Sequence, residues 1–229
     1  MERFEHLSMV SFLILGLAIV RFMTSWGSLL ARNIISHDLE EEEKQIKKKS
    51  KSEMISRKLD GFKKGNKTRH LARASFYWVH SLLLFMIFFT MIIFWWNAYP
   101  LNDVQFMPDE KWNLFVYLLF LCGPFLFFLI CDVIMPFNIE DIDIDLKSYY
   151  YKHSKLIIGL IILLQFSFLA NLLVFFKEDI TSTKCIGRIV LIILFTPLYF
   201  TKNTRLHSSI MCIFFIGFIY TIIKYHIYT

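Results

Sequence analysis

Residues 8–30 read SMVSFLILGLAIVRFMTSWGSLL, 23 residues with a single ionisable side chain, Arg21. Crossing a hydrocarbon core of roughly 30 Å takes about 20 mostly apolar residues as a helix. A helix is required because lipid cannot hydrogen-bond an open backbone. Outward from this stretch, 74–98, 112–135, 155–176, 186–201 and 207–225 pass the same test. The sequence therefore predicts an all-α, polytopic transmembrane helical bundle of about six spans, with residues 1–229 as one membrane domain. The first span does not read as a cleavable signal peptide, since Glu2 and Glu5 offset Arg3 and no small-x-small site follows. Span 186–201 is the shortest. It contains Pro197, needs Arg188 and Lys202 to snorkel, and if only re-entrant would move the C-terminus to the other side.

Composition agrees with a membrane class. Apolar residues make up 56% of the 229, against about 45–50% in a soluble domain. Charged residues make up 19%, gathered in a few loops, and the mean hydropathy is +0.51. The abundance of Phe, Ile and Lys points to an AT-rich, bacterial genome. Cys122, Cys131 and Cys212 lie inside apolar segments, where a thiol acts as a small hydrophobe, and Cys185 sits alone near a loop, so no disulfide is expected.

The basic residues orient the bundle. Segment 32–73 carries 13 of the 25 Lys and Arg residues. With Lys147, Lys152, Lys155, Lys202 and Arg205, one side holds 18. The other holds Arg3, Lys111, Lys177, Lys184, Arg188 and Lys224, with Arg21 inside a span. The basic side is expected to be cytoplasmic and both termini outside. The net charge of +6 is thus a topology signal rather than a nucleic-acid signal. Trp95, Trp96, Tyr99 and Trp112 at one boundary and Trp26 and Trp78 at the other form the aromatic belts of a membrane protein.

Segment 32–73 is the largest hydrophilic element. Glu40 to Glu43 face Lys44, Lys47 and Lys48 at i,i+4 spacing, which predicts a charged helix continuing span 1. Gly61 and Gly65 then precede a basic return from Lys63 to Arg73. One reading is a solvated hairpin that fixes topology and touches anionic headgroups. The sharper reading is a docking surface for a cytoplasmic protein or an anionic ligand through Lys44, Lys47, Lys48, Lys49, Lys51, Lys63, Lys64 and Arg69. Phe62 is the only ring between Arg32 and Arg73, so the aromatic interleaving of single-strand nucleic-acid binding is missing.

Ionisable residues inside spans are costly and are functional candidates by default. Arg21, His80 and Asp132 all fall in the basic-side half of the membrane, where a bundle can bring them together. Arg21 and Asp132 are expected to pair, with His80 as a polar neighbour; the alternative for Arg21 is a snorkelling or purely structural role. Gln165 and Asn171, six residues apart on different helix faces, read as interhelical hydrogen-bond partners. His80-Ser81 and His207-Ser208 each open a span. Glu140, Asp141, Asp143 and Asp145 lack the turn glycine and late bidentate Glu of a calcium loop, and the stretch reads as a short acidic interfacial segment before Tyr149–Tyr151.

No phosphate-binding Gly-rich loop, G-x-S-x-G elbow or H-E-x-x-H pair occurs. The expectation is a non-enzyme with no catalytic, metal-binding or cofactor-binding residues and no cofactor. The stretches SFLILGLAIVRFMTSWGSLLAR, FYWVHSLLLFMIFFTMIIFWW, a Trp-led third span and DLKSYYYKHSKLIIGLI together resemble an uncharacterised group of small polytopic bacterial inner-membrane proteins, over residues 8–176. The resemblance implies a helical inner-membrane fold. Segment 32–73 is longer here than in that pattern, which implies an addition for a partner or regulator. The leading functional expectation is a homo-oligomeric pore or membrane-perturbing effector controlled through segment 32–73. An accessory or signalling subunit that anchors a soluble partner is the alternative, and a small-molecule transporter the third.

Overall fold

A computed structural model describes residues 3–52, 74–98, 113–135 and 144–224. Among the described residues six helices carry the fold: α1 (Arg3–Ser52), α2 (Trp78–Ala98), α3 (Leu114–Ile134), α4 (Leu146–Val174), α5 (Thr183–Phe200) and α6 (Thr204–Ile222). All six include a stretch long and apolar enough to cross a membrane. The protein is a six-span helical bundle.

Side-chain caps start four of the helices. Asn113 Oδ1 accepts from Val116 N–H at 2.9 Å, and Asp145 Oδ1 from Lys147 N–H at 3.0 Å. Ser182 Oγ accepts from Cys185 N–H at 3.3 Å, and Asn203 Oδ1 from Arg205 N–H at 3.0 Å. Each satisfies a donor the first helical turn leaves open. The cap at Asp145 corrects one boundary. Span 4 was expected to begin at 155, but α4 begins at Leu146, so Tyr149–Tyr151 fall in its first turns and Leu146 belongs to the helix rather than to an interfacial segment before it. Residues 136–143, with Glu140, Asp141 and Asp143, lie outside the described residues. The short span is a helix of 18 residues, about 27 Å long, despite Pro197.

Three residues, 201–203, connect α5 to α6, so these two form a tight helical hairpin. A two-residue parallel bridge, β1 (Ala74–Ser75) with β2 (Ile144–Asp145), sets the starts of α2 and α4 side by side. The segments leading into them therefore reach the same end of the bundle, here called the basic end. α1 packs along α3, α3 against α4, and α4 against α5. α2 touches α1, α3, α4 and α6 and is the most enclosed helix with α4. The core runs through Leu83, Met86, Met91, Phe127, Ile130, Ile157 and Phe195, all buried.

The face α1 turns inward is Ser8, Ser11, Leu15, Ala18, Phe22, Ser25 and Leu29. That is the alternating three–four spacing of a knobs-into-holes seam. Its opposite face exposes Met9, Leu13, Leu17, Val20 and Met23. Gly16 looks onto open space. The close approach is instead at Gly123, where an added Cβ would sit 3.1 Å from Phe94 Cε2. Phe94 stacks on Phe168 and meets Phe120 and Phe127 in the same layer.

α1 continues as one helix far beyond the membrane length, to Ser52. Fifty residues at 1.5 Å each make a rod of about 75 Å. The backbone of Lys44, Lys47, Lys48, Lys49 and Lys51 is therefore helical and continuous with the first span, as the i,i+4 charge pattern predicts.

Candidate functional site

Three polar constellations sit within the apolar bundle. The first joins α1 to α3. Arg21 lies on α1 beside the buried seam residue Phe22, and Asp132 two residues before the end of α3. The Arg21 Nη2 atom is 3.1 Å from Asp132 Oδ1. The side chains are 26% and 48% exposed, so the pair lies on the flank of the bundle rather than in its core. The helices bring the two together because α1 runs past the end of α3, and the long guanidinium stem takes up the remaining offset.

His80 does not join this pair. Its Nε2–H donates to Ile134 O at 2.8 Å, and its ring stands edge-on to Tyr150. It belongs to the second constellation, at the basic end. There Tyr150 O–H donates to His207 Nδ1 at 2.9 Å, and His207 Nε2–H donates to Thr201 O at 2.8 Å. The Thr201 carbonyl can only accept, so His207 Nε2 carries a proton, and in the neutral ring Nδ1 is then the acceptor for Tyr150. The Tyr77 and Tyr151 hydroxyls share a hydrogen bond of 2.8 Å, and Tyr149 O–H donates to Val133 O at 2.8 Å. His80, Tyr150 and His207 are fully buried. The cluster ties α2, α3, α4 and α6 to the turn at Thr201. His80 Nδ1 is buried there with no hydrogen-bond partner.

The third constellation lies toward the other end. Gln165 Oε1 on α4 accepts from Arg188 Nη1–H on α5 at 3.0 Å, the interhelical bond expected of Gln165. The Arg188 guanidinium carbon also stands 4.7 Å from the centre of the Phe168 ring, in cation–π geometry. Asn171 is buried but bonds no neighbouring helix through its Oδ1, which has no partner. Gln165 and Asn171 stand six apart on different faces of α4, yet both meet Arg188. Asn171 lines a cavity together with Arg188, while Gln165 bonds the same arginine. At the start of α5, Lys184 Nζ lies 2.6 Å from Oε1 of Glu178 in the preceding turn and holds that carboxyl below its usual range.

Among the docking candidates, Lys63, Lys64 and Arg69 lie outside the described residues. Only the backbone is described at Lys44, Lys47, Lys48, Lys49 and Lys51. Among the described residues no three His, Cys, Asp or Glu side chains gather as a metal-binding group. All four cysteines are free, Cys131 and Cys185 buried, Cys122 and Cys212 exposed.

Sequence reading missed Arg188, Tyr77, Tyr150 and Tyr151 as site residues. The paired His-Ser openings of two spans were the one available signal for the second constellation, because both histidines meet Tyr150. Arg188 reads from sequence as an interfacial snorkeller, and nothing in its neighbourhood marks Gln165, 23 residues earlier, as its partner. Comparison with family models, with curated proteins and with solved structures returns no match.

Proposed function

We propose that this chain is a non-enzymatic, oligomeric component of the bacterial inner membrane. In this reading it acts as a pore or membrane-perturbing effector whose state is set through segment 32–73. The observation that carries the reading is α1, one helix running unbroken from the apolar span into the lysine-rich stretch. A rigid rod transmits a load applied at Lys44–Lys51 into the bundle. The Arg21–Asp132 pair fixes the rod's register against α3. The core of a single copy is filled by Met91, Phe127 and Ile157, so conduction would run between copies. The Arg21 guanidinium, partly exposed on the bundle flank within an apolar helix, supports such an interface, since bare lipid is a costly neighbour for charge. The basic end is read as cytoplasmic, with N-out and C-out termini, on the charge asymmetry and on the resemblance to bacterial inner-membrane proteins.

Liposomes containing the purified full chain test this directly. Solute release or conductance should appear with a steep dependence on protein density. Charge reversal at Lys47, Lys48 and Lys49 should change it without unfolding the protein. A tight bilayer at every density, with the chain monomeric by cross-linking, refutes the pore reading. Labelling of Ser50→Cys from outside intact cells would reverse the orientation. The accessory-subunit reading draws on the same helix and is separated by affinity capture with the full chain. A soluble partner lost on charge reversal, with no conductance, favours it.

A further inference from the structure

The Arg188 constellation has a feature that assembly in the membrane does not use. A cavity of about 80 Å³ opens between α2, α3, α4 and α5, at the end of the bundle away from the basic loops. Its walls are mainly apolar, with Phe94, Phe120 and Phe175 among them, and Arg188 is the only charged residue lining it. At roughly 10–15 Å³ per water, the space accommodates several waters or one small headgroup.

Two unmet needs meet there. A guanidinium has five N–H donors. Arg188 places one on Gln165 Oε1 and lays its face near Phe168, and no carboxylate pairs with it among the described residues. Asn171 is 7% exposed, lines the same cavity, and leaves its Oδ1 buried without a donor. Water could serve the amide oxygen but would leave the cation without a counter-charge in an aromatic setting. An occupant meeting both needs has an oxyanion for Arg188, a hydroxyl or N–H for Asn171, and an apolar body to lie against the rings.

We propose that this cavity binds the singly charged oxyanion head of an amphiphile, with Arg188 as the anion partner and Asn171 Oδ1 accepting from a hydroxyl on the same head. Two sources share the singly charged oxyanion and the apolar body: the phosphodiester head of a hydroxyl-bearing anionic phospholipid and the carboxylate of a free fatty acid. The Asn171 acceptor favours the phospholipid, because an ionised carboxylate has no donor to offer it. The site is independent of whether the chain forms a pore.

Native mass spectrometry of the delipidated full chain, with phosphatidylglycerol, phosphatidylcholine or oleate added back, tests the site. One phosphatidylglycerol per chain should be retained at least about tenfold more tightly than phosphatidylcholine, the size of effect a charge-assisted hydrogen bond supplies. Arg188→Gln should erase that preference, and Asn171→Leu should weaken it while leaving the charge. Lys147→Gln, at the basic end, should leave it unchanged, which separates this site from general attraction to the basic loops. Retention of oleate with displacement of phosphatidylglycerol would support the same site and assign it to a free acid. Competition within the unsubstituted chain reads the preference even if Arg188→Gln fails to fold. Equal retention of the two phospholipids without preference for oleate overturns the proposal. So does a preference for phosphatidylglycerol that survives Arg188→Gln in folded protein.

Discussion

The Arg21–Asp132 pair makes a sharp energetic prediction. The contact is 3.1 Å, yet the side chains are 26% and 48% exposed, so neither the buried nor the surface limit applies. Exposed pairs are worth about 0.2–1 kcal/mol, whereas stripping one partner from a buried pair costs about 3–5 kcal/mol. Asp132 sits two residues from the end of α3, where polar headgroups can take over its charge. Its loss of Arg21 is therefore mild, and Arg21→Ala should cost about 1 kcal/mol. Arg21 is the more enclosed partner and lies within an apolar helix, so Asp132→Ala should cost more, about 2 kcal/mol. With both removed no charge is stranded, and the double variant should lose about 1.5 kcal/mol rather than the sum. The coupling is then about 1.5 kcal/mol. Unfolding by rising SDS mole fraction, followed by tryptophan fluorescence in mixed micelles, gives all four free energies. Losses that add to within about 0.3 kcal/mol would refute the pairing as an energetic contact and leave Arg21 as an independent snorkelling residue.

Other outcomes follow from the packing and the polar clusters. Tyr150→Phe keeps the ring but strands the buried His207 Nδ1, so it should destabilise by about 1–3 kcal/mol in the same assay; adding His207→Phe should recover part of that loss. Gly123→Ala forces a methyl to within 3.1 Å of Phe94, whose ring is held by three others, and should cost about 1–3 kcal/mol. Gly16→Ala meets nothing within 4 Å and should instead gain about 0.5–1 kcal/mol from backbone entropy. Glu178 has its carboxyl pKa depressed by the Lys184 hydrogen bond, so its contribution is present above the ordinary carboxylate pKa and lost as pH falls through the depressed one. Glu178→Gln should therefore lower thermal stability at neutral pH by less than about 1 kcal/mol, with the difference vanishing in acid.

The spans and the charge asymmetry were legible in the sequence because depth in a bilayer is a one-dimensional property. Transfer free energy depends on the residues in a window of about 20, and no partner helix is needed to compute it. The continuation of α1 to Ser52 was legible for a similar reason, since i,i+4 charge pairs are local. The pairing of Arg21 with Asp132 could be inferred by elimination, because each is costly alone and few partners exist. The start of α4 at Leu146 was within reach too, through the cap at Asp145, had the acidic run not been read as an interfacial segment apart from the span. Which face of each helix turns inward was not legible. In a helix apolar all round, lipid and protein interior accept the same side chains, so no amphipathic stripe marks the azimuth. Tertiary structure alone decided that Ser11, Ala18 and Phe22 face inward while Leu13, Leu17 and Val20 do not. It also decided that Gly123 rather than Gly16 marks the close approach, that two distant histidines meet on Tyr150, and that Arg188 and Asn171 share one cavity. These are relations between helices, set by packing volume and by the few polar groups that must find partners where water is absent.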